Sequence, residues 1–348
     1  MRISSSIINN LCPSYCYRNI LIVVIFFGII HLNKAQDVVF SQFQAIPLIN
    51  NPAFGGISTA PRVSLQYRNQ WPQLNNAYNT YCASYDQFYD KLKTGFGLTL
   101  LSDNAGNGIL KNNAITGTFA YKLKAADDLY FRFGANLTFN QSRINWNKLI
   151  FYDQIDPYTG FTTSGGLPIE SSENRPPSQK ISYFDLGSGL LLYSSKFNLG
   201  ASLFHLNTPE YNFLSSSSNL KEGLPLRLVL MGGYQIPLKY EKKNEVASYL
   251  YPSFLYTKQV DFNQLNVGIS YGTKNYLLGA ALRHTFSNAD AVIVTAGFVY
   301  QILKIVYSYD ITISGLSGYS GGAHEISLQV AMKENKKIDY NDCFQIFR

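Results

Sequence analysis

The sequence predicts an all-β protein, a single antiparallel β-barrel that crosses the outer membrane with about 14 strands, within a range of 12 to 16. Apolar and polar side chains alternate with a two-residue period along most of the chain. The clearest case is residues 129–141, LYFRFGANLTFNQ, in which the odd positions up to Phe139 are apolar and the even positions are small or polar. This strand is longer than the ~5–6 residues usual in soluble sheets, and it suits a tilted membrane crossing of about 9–11 residues.

The first 35 residues are predicted to be a signal peptide. Arg2 and Arg18 precede the apolar run 20–30, which is shorter than the ~20 residues of a membrane helix but matches a signal-peptide core. The small residue Ala35 predicts cleavage before Gln36, and an uncleaved inner-membrane anchor is the alternative. No later apolar run has the length of a membrane helix, so any further crossing must use strands closed into a barrel.

Composition agrees with a barrel. The chain has 26 Tyr, 23 Phe and 26 Gly, which aromatic girdles and barrel bends would use, although a secreted β-sandwich is also rich in Tyr and turns. The formal charge of +7 includes Arg2, Arg18 and Lys34 of the leader, which leaves about +4 (7 minus 3), too little to argue for a nucleic-acid partner.

The four cysteines do not indicate a metal site or a disulfide framework. Cys12 and Cys16 lie in the predicted leader. Cys82 lies in a strand pattern, and Cys343 lies near the end of the sequence. We therefore predict no metal and no cofactor.

The strands are placed by alternation and by turn residues between them. The first set is 62–71, 78–87, 94–102, 110–122, 129–142, 182–193 and 196–205. The second set is 225–237, 246–257, 261–271, 275–286, 291–300, 303–313 and 321–333. The long connections 143–181 and 206–224 alternate with tight turns such as 272–274 and 301–302, as expected for long external loops and short periplasmic turns.

The polar face of each strand is predicted to line the lumen, because Arg or Lys near the middle of the lipid face would cost ~2–4 kcal/mol. The polar residues assigned to the lumen on this ground are Arg132, Asn136, Asn140, Lys304, Asp310, Glu325 and Gln329.

An enzymatic function is not predicted. The sequence has no G-x-S-x-G elbow, and the three histidines after the leader (His205, His284 and His324) have no evident Ser and carboxylate partners. DNAGNG at 103–108 and YDQIDPYTG at 152–160 are interpreted as surface turns, with a calcium loop as the alternative in each case. KYEKKNE at 239–245 is interpreted as a solvated periplasmic turn.

Five segments in order carry a family resemblance. They are DVVFSQFQAIPLINNPAFGG at 37–56, YRNQW at 67–71, DNAGNG at 103–108, YSYDITIS at 307–314 and GGAHEISLQ at 321–329. Together they resemble the PorP/SprF family of type IX secretion membrane proteins. Val38 stands where that family usually has Pro, and Ala323 where it usually has Ser. The matching residues proposed to have a structural or partner-binding role are Phe40, Ser41, Asn51, Pro52, Tyr67, Arg68, Gln70, Trp71, Asp103, Gly106, His324 and Glu325.

The resemblance implies a non-enzymatic outer-membrane component of type IX secretion that assists export or surface attachment of a secreted adhesin, and in many relatives gliding motility. The partners it implies are outer-membrane lipid, the periplasmic ring subunits and the C-terminal domain of a secreted surface protein. An outer-membrane porin or hydrophobic-solute channel is the alternative function.

These interpretations divide the chain into a signal peptide (1–35), a periplasmic or plug segment (36–61), the barrel (62–333) and a periplasmic tail (334–348). Pro47 and Pro52 keep the second part out of the sheet, so Asn51–Pro52 lies either at the periplasmic mouth or in the lumen. Arg68 and Glu325 lie on the first and last strands, which must pair to close the barrel, so we expect either a buried ion pair or separate contacts with water and other groups.

Overall fold

The computed structural model describes residues 37–58, 60–74, 77–163, 165–213, 223–241, 246–332 and 343–347. The predicted signal peptide with its cleavage site, Cys12 and Cys16 fall outside the described residues, as does most of the predicted turn at 239–245. Among the described residues, no helix has the length and apolar character needed to cross a membrane.

The fold is a closed antiparallel β-barrel, as predicted. Its first strands are β1 (Arg62–Gln70), β2 (Tyr78–Tyr89), β3 (Thr94–Ala105), β4 (Leu110–Ala126), β5 (Leu129–Ile144), β6 (Lys180–Tyr193) and β7 (Phe197–Phe204). The remaining strands are β8 (Arg227–Tyr234), β9 (Ile236–Tyr240), β10 (Val246–Gln259), β11 (Phe262–Thr273), β12 (Tyr276–His284), β13 (Ala289–Tyr300), β14 (Leu303–Thr312) and β15 (Ala323–Ala331).

The barrel wall has 14 strand positions, because β8 and β9 occupy one of them in succession. Both strands pair with β10, and they are separated by Gln235. The predicted single strand 225–237 is therefore longer and interrupted. The barrel closes where β1 pairs with β15, and β10 pairs with β11 in the same sheet.

Strand ends differ from the predicted ends where backbone geometry overrides the alternation. Trp71 has φ 61°, so β1 ends one residue before the predicted boundary. Gly321 and Gly322 each have φ 71°, so β15 begins after them rather than at 321. These left-handed conformations do not fit a strand, whereas glycine adopts them without steric cost.

The longest connections of the barrel lie at one end, although that end also has short ones such as 260–261. At one end, here called the loop end, lie the long connections 145–179 and 205–226. At the other, the turn end, lie tight connections such as 127–128 and 301–302. β1 starts and β15 finishes at the turn end. This segregation agrees with the predicted pattern of long external loops and short periplasmic turns.

The two faces of the strands differ as predicted. Apolar side chains on the outer face are exposed, for example Phe133, Leu137 and Ile326, each at 47–51%. Of the seven polar residues assigned to the lumen, Asn140 is half-buried, and the other six are buried at 8% or less, namely Arg132, Asn136, Lys304, Asp310, Glu325 and Gln329. The prediction of an apolar lipid face and a polar lumen is thus confirmed.

Two further parts of the chain lie inside the barrel. Residues 38–58, here called the inner segment, include the short 3-10 helices Pro47–Ile49 and Pro52–Phe54 and the buried side chains of Phe40, Ile46 and Phe54. Residues 343–347, here called the tail segment, are also inside, although 334–348 were expected to form a periplasmic tail. Phe344, Ile346 and Phe347 are only 1–2% exposed, because the lumen offers these apolar side chains aromatic partners.

Candidate functional site

The most concentrated group of buried charges lies at the seam between β1 and β15. Arg68 and Glu325 are paired register positions of these strands, and their side chains form an ion pair at 2.9 Å. Arg68 also reaches Asp310 of β14 at 2.9 Å, and Arg283 of β12 reaches the same carboxylate at 2.7 Å. Of the two alternatives that the sequence left open, the buried ion pair is therefore the one present, as part of a group of two guanidinium and two carboxylate groups.

Ser41 of the inner segment completes this group, which we call the seam cluster (Ser41, Arg68, Arg283, Asp310 and Glu325). Its hydroxyl donates to Asp310 at 2.7 Å and accepts from both Arg68 and Arg283 at 2.6 Å. All five side chains are at most 9% exposed. A buried charge is tolerated when it is paired and hydrogen-bonded, and here the inner segment supplies one of the partners.

Glu325 also binds the backbone of the inner segment. Its two carboxylate oxygens accept the N–H groups of Ser41 at 2.9 Å and Gln42 at 2.7 Å. Gln66 of β1 donates to the same carboxylate at 2.6 Å and to the Gln42 carbonyl at 3.3 Å. Hydrogen bonds to an ionised acceptor are roughly twice as strong as neutral ones. The seam cluster therefore joins the closing strands of the barrel to the start of the inner segment.

The side chain of Gln42 also forms hydrogen bonds with the barrel wall. Its side-chain amide donates to the carbonyls of Glu325 at 3.0 Å and Val306 at 3.3 Å, and its side-chain oxygen accepts from Ser327 at 2.6 Å. The backbone of this residue is thus bound to β15 and β1, and its side chain to β14 and β15.

Asn51 fixes the middle of the inner segment against β6 and β7. Its side-chain oxygen accepts from the Ala53 N–H at 2.9 Å and so caps the helix that Pro52 begins. Its amide nitrogen donates to the carbonyls of Leu190 at 2.9 Å and Ala201 at 3.4 Å. Of the two locations left open by the sequence, the structure places Asn51–Pro52 inside the lumen.

The turn end holds the last part of the inner segment. Arg62 and Asp86 form an ion pair at 2.9 Å, and Asp86 accepts the Gly56 N–H at 3.0 Å. Arg132 donates to the carbonyl oxygens of Gly55 and Gly56. The inner segment is therefore bound by charged wall side chains both at the seam cluster and at the turn end.

The other motif residues lie outside the seam cluster. Phe40 packs with Ile46, Leu48 and Cys82 in a small apolar cluster. Gln70 accepts from Arg68 at 3.3 Å and so borders the seam cluster. Asp103 accepts from the Thr80 hydroxyl at 2.6 Å, and Gly106, at φ 62°, forms the turn after β3.

The aromatic and histidine members of the motifs lie on the outer face or at the loop end. The Tyr67 ring packs on Tyr81 with centroids 4.9 Å apart. Trp71 contacts Tyr78 edge-to-face at 5.5 Å, where β1 leaves the barrel. His324 accepts or donates a 2.7 Å hydrogen bond with the Tyr307 hydroxyl. These side chains belong to the barrel surface rather than to the seam cluster.

Sequence reasoning missed part of the site. Asp310 was assigned to the lumen but not to the seam cluster, and Arg283 and Gln42 were not assigned a role. The two-residue period of β12 places Arg283 on the same face as Leu277 and Gly279. This period was the sequence signal that could have assigned Arg283 to the lumen. Residues of β12, β14 and β15 meet at Ser41 because the inner segment passes close to all three strands. The sequence of the inner segment has no periodic pattern from which that path could be predicted.

Comparison with known proteins identifies the family. The model of the family described as type IX secretion system membrane protein PorP/SprF matches residues 32–330. No curated protein matches the chain. Among solved structures, the Ralstonia pickettii toluene transporter TbuX is 10% identical with a TM-score of 0.49, covering 83% of this chain and 94% of that chain.

Two other solved structures have similar measures. A Pseudomonas aeruginosa FadL homologue is 10% identical with a TM-score of 0.43, covering 82% of this chain and 93% of that chain. The CymD monoaromatic hydrocarbon channel is 9% identical with a TM-score of 0.45, covering 87% of this chain and 96% of that chain.

The barrel and the family together indicate an outer-membrane component of type IX secretion. The family match covers the inner segment and every strand except the last residue of β15, so it includes all members of the seam cluster. The chain belongs to the PorP/SprF family of type IX secretion system membrane proteins.

Proposed function

We propose that this protein assists the export or surface attachment of a secreted protein, specifically an adhesin. We further propose that the lumen of the barrel stays filled while it does so. The observation that carries the proposal is the inner segment, which occupies the lumen and is bound there by the seam cluster. Porins have a water-filled channel, whereas the lumen of this barrel is occupied by the inner segment.

The inner segment is bound to the wall along its whole length. Glu325 and Asp86 accept from its backbone N–H groups. Wall donors to its backbone carbonyls include Arg227 to Ile49 at 3.2 Å and Ser202 to Asn50 at 2.5 Å. Each such hydrogen bond contributes about 0.5–1.5 kcal/mol, and those to charged groups about 1.5–3. Displacing the segment would break many of these bonds together.

Little space remains beside the inner segment on the β10–β14 side. A cavity there provides about 50 Å³ for the centres of water molecules. One water needs roughly 10–15 Å³ on this measure, so the cavity accommodates only a few. It is lined in part by the polar side chains of Ser253, Ser270, Thr295 and Gln329. This volume favours a hydrated gap over a solute channel.

The partners we propose are the periplasmic ring subunits at the turn end and the C-terminal domain of the secreted protein. The loop 145–179 presents Tyr152 and Tyr158 at 92% and 97% exposure, and exposed aromatic side chains are typical anchors of protein interfaces. If the exported protein is a motility adhesin, loss of this barrel will also stop gliding.

The alternative is a porin or a channel for hydrophobic solutes. In that function the inner segment would have to leave the lumen or move aside, at the cost of the contacts described above. The two functions therefore differ in whether solute uptake depends on this protein.

Deletion of the gene, with complementation by the full-length chain, tests the proposal. Surface proteins released by external protease are identified by mass spectrometry, and uptake of a small solute is measured in the same strains. We expect one or a few large surface proteins to disappear and to return on complementation, while uptake stays unchanged. Unchanged surface proteins together with reduced uptake would support the channel instead.

Co-purification provides the direct test of partners. A tagged full-length protein is extracted from outer membranes and its associated proteins are identified, with an unrelated tagged outer-membrane barrel as control. Enrichment of ring subunits and of the protein lost in the deletion strain is the expected result.

A further inference from the structure

The tail segment occupies a formed site at the turn end of the lumen. It consists of Cys343–Phe347, with Gln345–Phe347 as a 3-10 turn closed by a 2.9 Å hydrogen bond from the Phe347 N–H to the Phe344 carbonyl. Four of its five side chains are at most 2% exposed, and Gln345 is half-buried. It is not part of the strand order of the barrel.

Aromatic side chains surround the two phenylalanines of the tail segment. The Phe344 ring lies 4.7 Å from Tyr193 and 6.0 Å from Phe54, measured between centroids. The Phe347 ring lies 5.2 Å from Phe54 and 6.1 Å from Tyr251. Distances of 4.5–7 Å are those of favourable aromatic pairs. The wall and the inner segment together thus provide an aromatic pocket for two rings three residues apart.

Charged wall side chains bind the backbone of the tail segment. Arg62 donates to the Phe347 carbonyl and Lys304 to the Ile346 carbonyl, each at 2.5 Å. Donors aimed at main-chain carbonyls bind a peptide whatever its sequence, while the aromatic pocket selects its side chains. We call these residues together the socket (Phe54, Arg62, Tyr193, Tyr251 and Lys304).

The sequence between the barrel and the tail segment is long enough to span a displacement of that segment from the socket. Ten residues, KENKKIDYND at 333–342, separate the end of the barrel sequence from Cys343, and six of them are charged. Ten residues reach at most roughly 33–36 Å when extended. A partner segment that replaces the tail segment therefore has to compete with a segment of the same chain.

We propose that the socket is a peptide-binding site whose resident occupant, the tail segment, is exchanged for a segment of a partner protein. The partner segment has the chemistry of the occupant: an apolar turn with two aromatic side chains three residues apart and free main-chain carbonyls. The identification of that partner as a component of secretion rests on the proposed function, whereas the binding site itself does not.

Peptide binding to three forms of the purified full-length protein tests this. The probe is a fluorescent peptide of residues 341–348 that carries Cys343→Ser. The first form is unmodified, and the second carries Phe344→Ser and Phe347→Ser, which weaken the resident occupant. The third carries Asn198→Cys. The Asn198 amide lies 3.4 Å from the Cys343 sulfur, so oxidation of this variant is expected to join the two cysteines and lock the tail segment.

We expect the double-serine variant to bind the probe at least tenfold more tightly than the unmodified protein. The oxidised Asn198→Cys variant should not bind it, and reduction should return binding to the unmodified level. A probe with both phenylalanines replaced by serine is the matched control and should not bind any form. Folding of each form is checked by the heat-dependent mobility of the barrel on gels, and Phe347→Ser alone replaces the double variant if the latter does not fold.

No probe binding to a folded variant with a weakened occupant would overturn the proposal and leave the tail segment as a fixed part of the lumen. Equal binding to the locked and unlocked forms would also overturn it. Neither result bears on the proposed function, which is judged by the surface proteins of the deletion strain.

Discussion

Arg68 and Glu325 face each other across the seam that closes the barrel, as paired positions of β1 and β15 with charged atoms 2.9 Å apart. Each also contacts Ser41 of the inner segment, Arg68 through the serine hydroxyl and Glu325 through the serine N–H. The same two side chains therefore take part both in joining the closing strands and in binding the inner segment. Register at this seam and occupancy of the lumen should be coupled.

Truncation of this pair should be strongly non-additive. Arg68→Ala removes the guanidinium paired with Glu325, and Glu325→Ala leaves Arg68 to share the Asp310 carboxylate with Arg283. Removing one partner of a buried ion pair typically costs 3–5 kcal/mol in free energy of unfolding. The double variant should lose clearly less than the sum of the two, because the second truncation removes the charge left unpaired by the first. Urea titration of the folded barrel in detergent measures the three values.

Lys124→Ala is the matched control, since Lys124 forms a 3.2 Å ion pair with Asp127 in which both side chains are well exposed. Exposed pairs of this kind contribute little, so the midpoint of the urea titration should not move. Strictly additive effects of the two seam variants would show that Arg68 and Glu325 act independently.

Loss of the Glu325 carboxylate should also open the lumen. Glu325→Ala removes the acceptor of the Ser41 and Gln42 N–H groups, so the start of the inner segment loses its two charge-assisted backbone bonds. We expect the purified unmodified protein to show little ion conductance in planar bilayers and Glu325→Ala to show discrete conductance steps. Tyr152→Ala, in an exposed loop, should behave as the unmodified protein, and a silent Glu325→Ala barrel that remains folded would contradict the prediction.

The strands could be predicted from the sequence because a barrel wall imposes a strict two-residue period, with lipid on one face and polar groups on the other. The same rule placed Arg68 and Glu325 on the two strands that had to pair, but it left open whether their side chains form an ion pair. The split of β8 from β9 at Gln235 did not follow, because the alternation continues across it. The start of β15 depended on the backbone of Gly321 and Gly322.

The contents of the lumen were much less predictable. The inner segment and the tail segment have no periodic pattern, and their places are set by long-range contacts such as Arg132 with Gly55 and Arg62 with Phe347. A short apolar segment near the end of the sequence gives no local signal of where it packs. Only the three-dimensional structure shows that Tyr193 and Tyr251 pack against the phenylalanines of the tail segment. It also shows that Arg62 and Lys304 donate hydrogen bonds to its backbone carbonyls.

Gly134 should be required for the inner segment to lie against the wall. A Cβ at this position of β5 would collide with the backbone of Pro52 and Ala53. Gly134→Ala should therefore lower the free energy of unfolding by about 1–3 kcal/mol and loosen the inner segment, because neither backbone can yield easily. Unfolding in urea and conductance in planar bilayers measure the two effects.

Gly117→Ala is the control for this substitution. Gly117 lies in the neighbouring strand β4, and a Cβ there meets nothing within 4 Å. Its replacement should leave stability and conductance close to those of the unmodified protein. If both alanine variants behaved alike, close packing of the inner segment on β5 would not be needed.

The loop 145–179 should lose its order in acid, because two carboxylates hold its turns. Hydrogen bonds from the backbone and then the hydroxyl of Ser172 lower the pKa of Asp153, and the N–H groups of Thr159 and then Tyr158 lower the pKa of Asp156. A lowered pKa in the folded loop means that the stabilisation is complete above the ordinary carboxyl pKa of about 4 and is lost as pH falls through the lowered values.

Pepsin cleavage within the loop, followed by mass spectrometry between about pH 5 and pH 2, should rise as these groups are protonated. A double variant, Asp153→Asn with Asp156→Asn, keeps neutral acceptors but has no carboxylate to titrate, so it should be cleaved faster at the upper end of this range and should converge with the unmodified protein at the lower end. Parallel cleavage curves for the two proteins would mean that these carboxylates do not order the loop.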